Sequence, residues 1–228
     1  MIGGWFVTGT DTGVGKTCVA EALLQGLAHG GRRATGMKPV ASGCRRTPAG
    51  LRSEDAERLQ AAASVVADYI DTNPYALEAA IAPHLAAARA GTELRLDVVQ
   101  HHFQRLAAAA DWLVVEGVGG WRVPFDRTLY QSDVARVLGL PVILVVRLQL
   151  GCINHALLTA EAIRADGSNL AGWVANSIDA TFAAGPETVA ALRERIPASL
   201  LATVPPNAGP AEWRALGAAL TERLTGDS

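Results

Sequence analysis

Short, continuously apolar runs recur along the chain and alternate with longer segments of helical spacing. The runs predict strands over residues 5–7, 34–40, 112–115, 142–146, 170–175 and 200–204. Apolar positions three and four apart predict helices over residues 18–29, 53–67, 96–110, 154–165 and 187–196. Runs without polar alternation are typical of strands covered on both faces. The order therefore predicts an α/β fold with a mostly parallel central sheet and helices on both faces.

Composition narrows the class of protein. The 228 residues suit one domain, predicted to span 1–228, and 50% hydrophobic against 18% charged residues indicates a folded globular chain. A net charge of −2 without a long basic run argues against nucleic acid as partner. We expect no membrane segment, because the apolar run at 141–150 is short and contains Arg147. Three cysteines without metal or disulfide spacing favour a reducing cytoplasm: Cys18, Cys44 and Cys152.

The first predicted strand runs into a glycine-rich loop that ends in Lys16-Thr17 at a helix start. Backbone N–H groups of such a loop, with the helix N-terminus, hold phosphate. Lys16 would reach the outer phosphates of a nucleotide, and the Thr17 hydroxyl would ligate Mg²⁺. In the usual pattern G-x-x-x-x-G-K-[ST] the first position here is Thr10, and Gly9 stands one residue earlier. A plain glycine-rich turn before a helix is the alternative.

Three polar residues lie near the carboxyl ends of predicted strands, where parallel sheets bind their ligands. Lys38 precedes Pro39, so it should be extended, and it is either a crevice cation or a surface lysine. Glu116 ends an apolar run and would complete a nucleotide–metal site. Asn176 could read the edge of an adenine, or it could be a turn residue.

Other candidates are ambiguous from spacing alone. Asp55 lies at a predicted helix start, where an acid also favours the helix dipole. Ser42 lies in a small-residue turn near Lys38, and its hydroxyl is either a ligand contact or turn chemistry. The segment 151–155 precedes a predicted helix, so its N–H groups suit a carboxylate, or Asn154 is an ordinary cap.

Together these segments resemble the dethiobiotin synthetase family, in family order from Phe6 to about Pro205. The most specific are Lys38-Pro39-Val40-Ala41-Ser42-Gly43 and Gly151-Cys152-Ile153-Asn154-His155-Ala156. The others are the phosphate loop, Thr47-Pro48 with Gly50-Leu51-Arg52, Asn73-Pro74-Tyr75, Pro83-His84, Val115-Glu116-Gly117, Gly119-Gly120-Trp121 and Ala171-Gly172-Trp173-Val174-Ala175-Asn176. The resemblance implies a P-loop NTPase-like three-layer fold, and the offset first glycine is itself a family trait.

The resemblance also implies a function: ATP- and Mg²⁺-dependent carboxylation and ring closure of 7,8-diaminononanoate with CO₂, giving dethiobiotin, ADP and phosphate. It implies catalytic roles for Lys38, Lys16 and Thr12. The nucleotide would contact Gly13, Val14, Gly15, Lys16, Thr17, Asp55, Glu116, Asn176 and Pro205, and Mg²⁺ would contact Thr17, Asp55 and Glu116. The diamine would contact Thr12, Lys38 and Ser42, with Gly151, Cys152 and Asn154 receiving its carboxylate from the partner subunit of a homodimer.

Two positions depart from the family pattern. Gly13 stands where family members often carry Glu, and Gln149 stands where a basic residue is common. Two other functions remain as alternatives. One is an ATP-driven switch resembling the partition ATPases, which usually carry an extra loop lysine that residues 8–15 lack. The other is a different cyclising ligase on the same scaffold.

Overall fold

A six-stranded parallel sheet forms the centre of the computed structural model, which describes residues 2–226. Met1 and residues 227–228 of the predicted 1–228 domain lie outside the described residues. The strand order is β10-β9-β8-β1-β7-β2. Its strands are β1 (Gly3–Gly9), β2 (Ala34–Met37), β7 (Trp112–Gly120), β8 (Val142–Arg147), β9 (Leu170–Asn176) and β10 (Leu200–Val204). The predicted three-layer α/β architecture is confirmed, and all of its strand pairs are parallel.

Helices cover the sheet on both faces. Because successive side chains of a strand point in opposite directions, each strand contributes to the hydrophobic core on either face. In β8, Leu144 joins one hydrophobic cluster, whereas Ile143 and Val145 join the other. One face is covered by α1 (Lys16–His29), α2 (Glu54–Ala62) and α9 (Pro210–Thr225). The opposite face is covered by α4 (Pro83–Arg89), α5 (Leu96–Ala109), α6 (Gln131–Leu138), α7 (Cys152–Ala165) and α8 (Gly185–Arg195).

The predicted strand over 34–40 is wrong in its second half. The main sheet keeps only β2, and the chain leaves it at Lys38 and Pro39. Pro39 has no N–H to donate to a ladder, and the Lys38 N–H donates instead to the carbonyl of Thr72 at 2.7 Å. The next residues form β3 (Val40–Ser42), which pairs with β6 (Tyr75–Leu77) in a separate two-stranded sheet.

Other predicted bounds also change. The predicted helix over 53–67 ends at Ala62, with Ser53 as its N-cap, and α3 (Tyr69–Thr72) follows as a separate turn. An antiparallel hairpin, β4 (Arg45–Thr47) with β5 (Gly50–Arg52), lies between β3 and α2. Within residues 2–226, no helix is long and apolar enough to cross a bilayer.

Candidate functional site

The phosphate loop lies between β1 and α1, as its sequence predicts. Gly13 and Gly15 have φ of 71° and 97°, a left-handed backbone that favours glycine. A Cβ on Gly9 would lie 2.5 Å from Cγ2 of Val14, so packing inside the loop explains a glycine one residue early. Gly15 caps α1 without a side-chain hydrogen bond. The first N–H groups of the helix therefore stay available to an anion.

Lys16 is buried at the start of α1, and its ammonium reaches back over the loop. Its Nζ donates to the carbonyl of Asp11 at 2.8 Å. Burial, with help from the nearby Lys38 charge, lowers the pKa of Lys16 to about 8. The protein therefore holds this cation in a place where negative charge from outside would stabilise it.

Lys38 follows the carboxyl end of β2 and lies between the carboxylates of Asp55, in the first turn of α2, and of Glu116. Glu116 does not follow the end of its strand as predicted but lies in the middle of β7, which continues to Gly120. Its Nζ is 2.7 Å from Oδ2 of Asp55 and 2.7 Å from Oε1 of Glu116. Burial acts to lower the pKa of Lys38, but Glu116 and Asp55 outweigh it and raise that pKa above its usual value. Burial likewise acts to raise the pKa of Asp55, and Lys38 outweighs it and lowers that pKa. Lys38 and Asp55 are therefore both charged at neutral pH.

Thr17 joins the same cluster through its hydroxyl. Its Oγ1 is 3.0 Å from Oδ1 of Asp55 and 2.9 Å from Oε1 of Glu116. The other carboxylate oxygen of Glu116, Oε2, is buried and has no hydrogen-bond partner among residues 2–226. A hydroxyl and two carboxylates, one of them with an unsatisfied buried oxygen, are hard oxygen donors, which suit Mg²⁺. Among the described residues no group of three or more His, Cys, Asp or Glu side chains could hold a metal ion, so phosphate oxygens and water would complete its shell.

A single cleft of about 990 Å³ joins the loop to the strand ends. Eleven of the residues predicted for the site line it: Thr12, Gly13, Gly15, Lys16, Thr17, Lys38, Ser42, Asp55, Glu116, Asn176 and Pro205. Val14 lies buried under the loop, and its carbonyl accepts from Nδ2 of Asn176 at 2.9 Å. The Asn176 amide therefore already holds the loop in place.

The segment around Gly151 is not brought to this cleft. Gly151, Cys152 and Asn154 are absent from its lining among the described residues, and they begin α7 instead. Gly151 has φ of 90°, Cys152 is buried and Asn154 is exposed. In one chain they form a helix start apart from the phosphate loop.

Several lining residues escaped the sequence reasoning. The cleft is also lined by Arg58 of α2, Trp213 of α9, and residues 80–83 and 123–124. One strong signal was also overlooked: Lys16 and Lys38 are the only two lysines of the chain, and its other 18 strong cations are arginines. Lysine usage alone therefore marks both of these positions.

Comparisons with known proteins agree with this geometry. A family model described as "AAA domain" matches residues 4–211. The ATP-dependent dethiobiotin synthetase BioD of Xanthomonas euvesicatoria pv. vesicatoria (strain 85-10) is 54% identical over 192 residues, 84% of this chain and 86% of that protein. The protein of the same name from Xylella fastidiosa (strain 9a5c) is 50% identical over 210 residues, 91% of this chain and 93% of that protein.

Solved structures support the fold. The Aquifex aeolicus MinC:MinD cell division protein complex includes a chain with a TM-score of 0.63 at 16% identity, covering 99% of this chain and 97% of that one. The Pyrococcus furiosus cell division ATPase MinD gives 0.60 at 16% identity, with both chains fully covered. At this identity the likeness concerns the fold alone. The sequence identity to the two synthetases is much higher, 54% and 50% over most of the chain, and it confirms the resemblance. The chain belongs to the ATP-dependent dethiobiotin synthetase family.

Proposed function

We propose that this protein uses ATP to carboxylate and close the ring of 7,8-diaminononanoate, releasing dethiobiotin, ADP and phosphate. Its relatives carry the name of that activity. The observation that carries the proposal is the meeting of Lys16, Lys38 and the Asp55–Glu116 pair beside one phosphate loop. Two ammonium groups and two acids around a single cleft match a reaction that crowds anions together.

The proposed reaction brings several negatively charged groups together in the site. One substrate amine adds to CO₂ and becomes a carbamate. A carbamate oxygen attacks the γ-phosphorus of ATP, ADP leaves, and a mixed carbamic–phosphoric anhydride forms. The second amine then attacks the carbonyl carbon and expels phosphate, which closes the cyclic urea. Carbamate, triphosphate and leaving phosphate are all negative, so the protein has to supply positive charge already in position.

Each lysine has a distinct part in this proposal. Lys16, at the base of the phosphate loop, pairs with the outer phosphates of ATP. Lys38 faces the transferred phosphoryl group and the carbamate, with its position fixed by the carboxylates of Asp55 and Glu116. Both lysines act by position and charge, because phosphoryl transfer needs little covalent participation by the protein.

Thr17, Asp55 and Glu116 are the residues that would hold Mg²⁺. When bound, the ion would neutralise phosphate charge and orient the phosphoryl group. The buried, unsatisfied Oε2 of Glu116 supports this assignment, because a buried carboxylate oxygen without a partner is costly to the fold. Asn176 and Pro205, which line the same cleft, would receive the adenine.

The substrate site extends from the cleft to a second subunit in this proposal. Thr12 and Ser42 line the cleft and would contact the diamine end. Gly151, Cys152 and Asn154 would receive its carboxylate from a partner, at the start of α7. Exposed apolar side chains lie directly before that helix start and along α7: Leu150 is 93% exposed, Leu158 57% and Ile153 36%. Exposed apolar residues on and directly before one helix favour an interface, here that of a homodimer.

The remaining parts of the proposal concern the whole chain. We take residues 1–228 as one ligase domain, because the nucleotide-contacting candidates run from Gly13 to Pro205 and one central sheet contains strands from Gly3–Gly9 to Leu200–Val204. The cysteines Cys18, Cys44 and Cys152 are free, which supports a reducing cytoplasm as the place of action.

Mass spectrometry of the product tests the proposal. Purified protein with ATP, Mg²⁺, bicarbonate and 7,8-diaminononanoate should give dethiobiotin and one ADP for each product molecule. Omitting the diamine or the bicarbonate should stop ADP release. Equal ATP consumption without the diamine would instead favour an ATP-driven switch, and a different product mass would indicate another cyclising ligase.

A further inference from the structure

The main chain of Lys38 is held from both sides although it has left the central sheet. The Lys38 N–H donates to the Thr72 carbonyl at 2.7 Å. On the other side, Nδ2 of Asn73 donates to the Lys38 carbonyl at 2.7 Å. The Asn73 side chain is buried, so these bonds face little competition from water. One short segment, 72–73, thus takes the place of a neighbouring strand.

A tyrosine hydroxyl extends this connection to the helix that carries Asp55. The Tyr69 hydroxyl donates to Oδ1 of Asn73 at 3.1 Å, and it accepts the Ser53 N–H at 2.6 Å. Ser53 caps α2, where its Oγ accepts the Ala56 N–H at 3.4 Å. A continuous chain of hydrogen bonds therefore runs from the backbone at Lys38 to the first turn of α2. Asp55 lies in that turn.

Tyr69 is itself held in one orientation. The guanidinium of Arg52 lies over its ring, 4.0 Å from the centroid. Neither Tyr69 nor Asn73 lines the cleft. Both therefore act on the site only through the residues that they hold.

We propose that Tyr69 and Asn73 are positioning residues that fix Lys38 relative to Asp55 for the reaction. This inference rests on the proposed function, which makes Lys38 the cation at the transferred phosphoryl group. Lys38 has no strand neighbour on its own main chain, so small rotations there would move Nζ away from its two carboxylates. Misplacement by about 1 Å at a reacting centre can cost about 100-fold in rate.

Tyr69→Phe tests the connection with the smallest change. It removes the hydroxyl but keeps the ring and its contact with Arg52. We expect kcat to fall about tenfold, with KM for ATP and for the diamine nearly unchanged, because the substrates still bind. The matched control is Tyr75→Phe, whose hydroxyl also accepts a backbone N–H, that of Arg95 at 3.0 Å, but has no bond to Lys38 or to Ser53. It should keep the parent kcat.

A second readout needs no catalysis. Because Lys16 and Lys38 are the only lysines, limited acetylation with acetic anhydride followed by peptide mass spectrometry gives the ratio of Lys38 to Lys16 modification within one sample. Tyr69→Phe should raise that ratio several-fold, and Tyr75→Phe should leave it at the parent value. Asn73→Asp replaces the donor that faces the Lys38 carbonyl with an oxygen, so it should raise the ratio as well and serves if Tyr69→Phe does not fold.

The outcomes separate the two proposals. An unchanged Lys38:Lys16 ratio in both Tyr69→Phe and Asn73→Asp would overturn the positioning role, and so would an equal loss of kcat in Tyr69→Phe and Tyr75→Phe. A parent protein that makes no dethiobiotin would overturn the proposed function, while the acetylation ratio would still report whether Tyr69 and Asn73 hold Lys38.

Discussion

At the scale of single residues, the pKa values of the two lysines of the site are shifted in opposite directions. Burial, together with Lys38, lowers the pKa of Lys16 to about 8, whereas two carboxylates raise the pKa of Lys38 in spite of its burial. Lys38 therefore keeps its charge over the whole physiological pH range. Lys16 carries a charge that the protein alone stabilises poorly, so an arriving phosphate stabilises it most.

This asymmetry predicts a pH dependence of nucleotide binding. Below about pH 8 Lys16 is mostly charged, and above it the free protein loses the proton. Phosphate raises the pKa of Lys16, so ADP binding above that pH takes up a proton, and affinity falls by up to about tenfold per pH unit. Titration calorimetry in two buffers of different ionisation enthalpy measures the uptake. Lys16→Arg should abolish it because arginine stays charged. Binding without proton uptake between about pH 8 and 9 would contradict the assignment.

Removing the Lys38 charge should affect both rate and stability. Lys38→Met leaves Glu116 buried beside Asp55 without its cation, which should lower the free energy of unfolding by about 3 kcal/mol. Turnover should fall by about 100- to 1,000-fold. Mg²⁺ should raise the Tm of this variant more than that of the parent, because the ion supplies the missing positive charge. Thermal unfolding with and without MgCl₂ checks this, and a variant as stable as the parent without Mg²⁺ would count against the buried pair.

At the scale of elements, the phosphate loop contains two left-handed glycines with different surroundings. A Cβ on Gly15 would lie 2.2 Å from Nδ2 of Asn176, whereas a Cβ on Gly13 would have no neighbour within 4 Å. Gly15→Ala combines backbone strain with a displaced Asn176, so we expect loss of ADP binding. Gly13→Ala carries only the strain, about 1–2 kcal/mol, and serves as the control. Equal ADP affinities of the two variants would show that Asn176 does not hold the loop.

The sheet and its ligand edge were predictable because the strands are buried on both faces. Runs such as Val142–Arg147 have no polar alternation, and the polar residues that follow these runs mark the carboxyl edge. The pattern gave no signal for β3 and β6, since three residues are too short to show a period. It also missed α6, whose first turn is polar and whose Gln131 turns inward to contact Val118 and Gly120.

Within the site, Lys38 and Glu116 could be nominated because each stands beside an apolar run that predicts a buried strand, although β7 continues past Glu116. Tyr69, Asn73 and Arg58 could not, because their contacts join segments that only the folded chain brings together. The ion pair between Lys38 and Asp55 was likewise hidden, since its acid begins a helix whose first turn commonly carries acids.

At the scale of the whole molecule, the proposed dimer makes a prediction about α7. Leu158 is 57% exposed on this helix, and Leu158→Arg would place a charge in the interface. We expect a monomer by sedimentation or light scattering, without dethiobiotin formation but with ADP affinity kept, because the phosphate loop and its neighbours come from one chain. Val66→Arg, at an apolar residue 97% exposed outside α7, is the control and should stay dimeric. A parent protein that is monomeric at assay concentration would contradict the dimer.

The restriction of lysine to two cleft positions has a consequence for a chemistry that consumes dissolved CO₂. Unprotonated amines add readily to CO₂, and a guanidinium does not compete because it stays protonated. A surface that carries arginine in place of lysine therefore has almost no side-chain amines that compete with the substrate for CO₂. Lys38 is held as a protonated ammonium between Glu116 and Asp55, so it has no free lone pair with which to add CO₂. In the proposed reaction, CO₂ is therefore captured by the substrate diamine and not by the protein.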